Sequence, residues 1–155
     1  LRLVISIAKL TTDLERIGDE AAKIARLAIT LSEMPPSPSS CAEVSHIGRN
    51  VCGMLRSALD AFARLDVDTA VDVVVDDASV DSQYHTAIRS LVTFMMQDPR
   101  NIGPVLNEMW ALRALERIGD HASNISEQIV YLVRGRDVRH MKERELRAIV
   151  GEGEE

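Results

Sequence analysis

Three acidic pairs in this chain have the same spacing: Glu15 and Asp19, Asp77 and Asp81, Glu116 and Asp120. Four residues is one helical turn, so the members of each pair project from the same side of a helix. On a solvated helix such a pair is mildly destabilising, by a few tenths of ~1 kcal/mol. At the edge of a groove it makes half of a cation site, and two pairs from facing helices make a whole one. Four carboxylates with no soft ligand suit a hard or borderline ion, Mg, Mn, Ca or Fe, better than Zn.

Two of the pairs lie inside one repeated sextet, LERIGD, at 14–19 and 115–120. A shift of 101 residues also superposes Ala21 on Ala122 and Ile24 on Ile125, giving eight identities in eleven positions. This is an internal repeat. Each copy contains a mid-helix glycine, Gly18 or Gly119, which costs about 1 kcal/mol relative to Ala. A helical wheel places both on the apolar face, where they would let helices approach closely. Asp77 and Asp81 fall among Val73, Val80, Tyr84, Ile88 and Leu91, whereas Asp68, Asp72 and Asp76 fall outward. An inward carboxylate is costly unless paired or metal-bound. Asp77/Asp81 with Glu116/Asp120 is therefore the candidate site. Solvated faces, with Arg16 and Arg117 pairing with neighbouring acids, are the alternative reading.

Other groups carry weaker signals. Glu43 and His46 have the spacing of a ferritin-like ligand pair, but such sites need two. Asn124 and Glu127 extend the flank of Asp120, and His121 adjoins it. His85 and His140 have no partners at ligand spacing. Trp110, Phe62 and Phe94 read as packing residues or partner anchors. There is no nucleophile–base pair, phosphate-cradling glycine loop or GK[ST] motif.

The elements that must position these residues are helices. Apolar residues recur at helical spacing from Leu3 to Ala28. PPSPSS at 35–40 makes a loop. A second helix is expected from 42 to Arg64, then a turn at LDVD with Asp68 as N-cap. The third helix runs to about Met96. Asp98 and Pro99 of DPRN open the fourth, which ends at Gly135. The resulting order is a last helix of one bundle (1–34), a linker (35–41), a three-helix bundle (42–135) and a charged, mobile tail (136–155) with a short helical piece.

Bulk properties agree with an all-α chain. Of 155 residues 46% are hydrophobic but only 3% aromatic. The net charge of −6, without a basic cluster, argues against nucleic acid. Cys41 and Cys52 read as reduced bystander thiols. No stretch is apolar enough to span a membrane. Leu1 already lies within an apolar helical pattern, LRLVISIAKL, so the reading is of a fragment lacking an N-terminal portion.

LERIGDEAAKIARLAI and LERIGDHASNISEQIVYLVRG, with DDASVDSQY and FMMQDPRNI between them, resemble the PhoU family of bacterial phosphate-signalling regulators over residues 1 to about 140. The resemblance implies tandem three-helix bundles, the first incomplete here. It implies multinuclear metal clusters, of iron or zinc in some members, on E(D)-x-x-x-D motifs. These map onto Glu15/Asp19, Asp77/Asp81 and Glu116/Asp120, the partner of the first pair lying in the missing part. It further implies a non-enzymatic adaptor at the cytoplasmic face of the cell membrane, a negative regulator of phosphate-starvation genes and modulator of phosphate uptake. Its partners would be the ATPase of the Pst transporter and the sensor kinase PhoR, and it leaves room for a homodimer. A carboxylate-bridged di-metal enzyme and a purely structural helical domain are the competing readings.

Overall fold

The structure, a computed structural model, describes residues 1–36, 39, 41–139 and 141–151. His140, residues 37, 38 and 40 of the Ser/Pro linker and residues 152–155 lie outside them. The described elements are α1 (Arg2–Ser32), α2 (Ala42–Arg64), α3 (Val67–Gln97), a single 3₁₀ turn (Pro99–Asn101), α4 (Ile102–Arg134) and α5 (Glu143–Gly151). The fold class is all-α, as the periodicity predicts.

The helix ends have local chemical causes. α2 stops at Leu65, which takes the left-handed conformation at φ 55° and sends its neighbour's N–H back to the Ala61 carbonyl at 2.9 Å. The expected cap at Asp68 is corrected to Asp66. Its carboxylate accepts from the Thr69 backbone N–H at 3.1 Å and from the Thr69 hydroxyl at 2.8 Å. Asp68 instead sits in the first turn, where an acid favours the positive helix end. Replacing Asp66 with Ala should lower stability by about 1 kcal/mol, read as a midpoint shift in urea at unchanged slope. Asp98 caps the turn before α4 through the Arg100 N–H at 2.9 Å. Gly135 closes α4 at φ 71°, a conformation that favours glycine.

Helix α4 is the hub. α1, α2 and α3 all pack on it, and α2 and α3 also pack on each other. It accordingly buries residues on nearly every side, from Val105 and Leu112 to Ile125 and Ile129. α2 contributes Ile47, Val51, Met54 and Ala58 to the shared core, and α3 contributes Val71, Val73, Val80 and Leu91. Phe62 and Phe94 lean on this core, but Trp110 is 55% exposed, with Lys23 over its ring.

Two expectations change. The segment after Gly135 is not a mobile tail throughout. Val138, Leu146 and Ile149 are buried, α5 packs on α3, and Arg147 reaches Asp72 at 3.2 Å. In α1 the apolar positions do not all turn inward. Ile17 is buried and Leu10 and Ile24 lean on the core, while Leu3, Ile7, Leu14 and Ile29 are exposed.

Candidate metal centre

On α3 the turn Asp77–Asp81 stays on one flank because no helix breaker intervenes, and that flank faces α4. On α4 the turn Glu116–Asp120 faces back. The structure brings these four carboxylates together. Asp81, Glu116 and Asp120 each offer an oxygen within 4.8 Å of the others. Asp77 lies deeper, against Gly119 and beside Ser123.

Electrostatics show the cost of this convergence. Burial pushes the Asp77 carboxyl up to about 7, with Asp120, Asp81 and Glu116 adding repulsion and Ser123 hydrogen bonding offsetting part of it. Glu116 is raised by burial and by Asp120, against the pull of Arg113 and Arg117. Asp120 is raised by burial and by Asp81. Asp77 Oδ1 and Glu116 Oε2 are buried without a hydrogen-bond partner. Orphaned buried acceptors of this kind call for a donor or a cation. An all-carboxylate set with two such oxygens fits a hard divalent or trivalent ion.

Two arginines of α4 pair with acids here: Arg117, as the solvated alternative expected, and Arg113, which it did not name. Arg113 Nη1 binds Glu116 Oε1 at 2.8 Å, beside the Tyr84 ring. Arg117 turns away to Glu20 on α1, Nε to Oε1 at 3.2 Å. Glu116 therefore has one oxygen paired and one free for a ligand.

Glu15 and Asp19 do not join this cluster. Both are exposed on the side of α1 away from α4. Gly18 has nothing within 4 Å of where a Cβ would stand, so close packing does not explain it among the described residues. At Gly119 a Cβ would stand 3.4 Å from Asp77 Oδ1 and 3.7 Å from Val80 Cγ1, at ordinary contact distance. What glycine leaves open there is the approach to the Asp77 oxygen. Glu127 and Asn124 do not extend the site either. Asn124 points its amide to Asp13 at 3.4 Å, and Glu127 feels Arg139, Asp137 and Asp13. Glu43 and His46 border a groove between α2 and α3, with no second such pair on it among the described residues.

Three buried polar groups hold partners that sequence reasoning did not assign. His121, expected beside the site or exposed, is only 7% exposed and holds Asp13 Oδ1 at 2.8 Å, tying α4 to α1. Glu20, 8% exposed, is the partner of Arg117. Glu108 is fully buried and accepts a hydrogen bond from Ser39, anchoring the loop before α2. Neighbouring Cys41 is raised by its burial and by Glu108. Asp13 and Glu20 had a readable signal. Both lie on the Ile17 face of α1, where a charge needs a partner.

The PhoU domain family matches residues 44–129, more than half of the chain. The chain belongs to the PhoU family. It is 62% identical over 141 residues to a phosphate-specific transport system accessory protein PhoU homolog of Pseudomonas putida, covering 91% of this chain and 55% of that protein. It is 44% identical to the PhoU accessory protein of Escherichia coli, covering 91% and 58%. The crystal structure of PhoU from Pseudomonas aeruginosa superposes with a TM-score of 0.86 at 60% identity, over 88% of this chain and 65% of that one. PhoU from Streptococcus pneumoniae superposes at 0.80 and 30% identity, over 89% and 65%. This PhoU-family chain thus spans a little over half the length of the curated relatives it matches. Among its described residues no helix is long and apolar enough to cross a membrane.

Proposed function

We propose that this chain is part of a metal-binding regulatory adaptor. It would restrain phosphate-starvation signalling and modulate phosphate uptake, without enzymatic turnover. The observation that carries the metal reading is the convergence of Asp77, Asp81, Glu116 and Asp120, with two buried oxygens left without partners. The names of the relatives, accessory proteins of a phosphate-specific transport system, support a transporter-linked role. On this reading the protein works at the cytoplasmic face of the membrane, between the Pst transporter ATPase and the sensor kinase PhoR. The outward side of α1, with Leu3, Ile7, Leu14 and Ile29 exposed, would be covered by a preceding bundle of the same chain, whose acidic residues would complete the Glu15/Asp19 pair.

Metal content tests the site. Protein purified without chelator should carry iron, zinc or manganese by plasma mass spectrometry, or acquire manganese on soaking. Glu116→Gln/Asp120→Asn should lose it. At a free ion concentration 100-fold above Kd, binding adds about 2.7 kcal/mol of stability, a rise of several degrees in Tm. No uptake by the wild type would end the metal reading. A phosphate-starvation reporter in cells tests the other half. The reporter should be constitutively on when the longer protein is absent and repressed when it is restored.

A further inference from the structure

Along α4, residues that face the carboxylate site alternate with residues that hold α1. Glu116 and Asp120 face α3, and the residues immediately after them, Arg117 and His121, reach Glu20 and Asp13 on α1. Arg117 serves both sides. Its Nε is 3.2 Å from Glu20 Oε1, and its charge also acts on Glu116 and Asp120.

The α1–α4 contact is itself polar. Of the three buried residues of α1, Ser6, Ile17 and Glu20, two are polar. Ser6 Oγ and Glu20 Oε2 on α1, and Gln128 Oε1 on α4, are buried without hydrogen-bond partners. Interfaces of this composition resemble those between mobile domains, and they open more readily than an apolar core. Toward α4, α1 presents two acids, Asp13 and Glu20, held by His121 and Arg117.

We propose that the α1–α4 contact is a charge-gated joint, which tightens when the Asp77/Asp81/Glu116/Asp120 site is neutralised by a cation. The inference rests on the cation reading of that site. With the site charged, its carboxylates compete with Glu20 for Arg117, whose charge acts on Glu116 and Asp120. Neutralising the site removes that competition. Linkage then requires that a closed joint raise cation affinity by the same factor.

Hydrogen exchange of the α1 amides, referenced to the α2 amides of the same chain, reads the joint. Mn²⁺ is the probe, with free ion followed by its paramagnetic resonance. Glu116→Gln/Asp120→Asn removes charge without metal. It should slow α1 exchange about threefold in metal-free solution, the size expected for a half-exposed charge contact. Mn²⁺ should slow α1 similarly in the wild type and leave the double variant unchanged. Arg117→Gln, which leaves Glu20 only the more distant Lys23 at 3.8 Å, should speed α1 exchange severalfold while sparing α2. If the wild type binds Mn²⁺ and α1 exchange does not respond to Mn²⁺ or to the double substitution, the joint is overturned and the metal site stands. If the wild type binds no Mn²⁺, the metal site falls and the cation-gated joint falls with it, whatever the double variant does to α1.

Discussion

Replacing Asp77 with Asn should make the metal-free protein more stable at pH 8, by about 2 kcal/mol. The Asp77 carboxyl titrates near 7 in the folded chain, because burial and three neighbouring carboxylates oppose its charge. In the unfolded chain it titrates near its ordinary value of 3.8. Between those values the folded state holds a proton that the unfolded state has lost. Stability therefore falls as pH rises from about 4 to 7, and the loss is complete above the folded value. Asn carries no charge, keeps the shape, and can still accept from Ser123. A displacement of this size on a carboxyl screened by water on its open side is worth about half of its unscreened ~4 kcal/mol. Urea denaturation at pH 8, 6 and 4 should show the advantage of Asp77→Asn shrinking stepwise to nothing. An Asn variant less stable than wild type at pH 8 would mean that the carboxylate is compensated by something other than a proton or an ion. The same substitution should weaken metal uptake, so the residue that costs the empty fold most would be one the loaded site needs.

The second large effect is in the core. Leu112 is 0% exposed on α4, the helix that α1, α2 and α3 all use. Leu112→Ala should cost about 3 kcal/mol, the loss of transfer free energy plus a cavity that the surrounding helices close only in part. Ile29→Ala, on the exposed side of α1, should change the stability of this chain by less than about 0.5 kcal/mol. Midpoints of chemical denaturation for the two variants, measured side by side, check the contrast. A comparable loss at Ile29 would mean that the outer face of α1 is already covered in this chain.

The helices were legible because their signals are local. Pro at 35 and 36 ends α1, Asp98-Pro99 opens the turn before α4, and Gly135 closes α4 by the one backbone conformation that favours it. Asp66 was misread as Asp68 because both are aspartates within two residues of the boundary, and only the Thr69 hydrogen bonds distinguish them. The facing of Asp77/Asp81 toward Glu116/Asp120 was legible because carboxylates interrupt an otherwise apolar flank. The partners across the α1–α4 contact were not, although Asp13 and Glu20 share the Ile17 face. The side chains of that contact are charged on both helices, so periodicity assigns them to solvent, and their pairing spans about a hundred residues of chain. The docking of α5 was hidden for a different reason. Val138, Leu146 and Ile149 are scattered through a highly charged segment and do not stand out without α3 beneath them.

The position of α4 also has a consequence for biosynthesis. The helix on which the others pack is the last long one to leave the ribosome. α2 and α3 can pair as a hairpin as soon as they emerge, since they touch each other directly. α1 has no such partner. Its Asp13 waits for His121, 108 residues later, which at ordinary elongation rates is about 5–20 s. Through that interval the α4-facing side of α1, with Asp13 and Glu20, is without its docking surface and open to chaperones and to other chains.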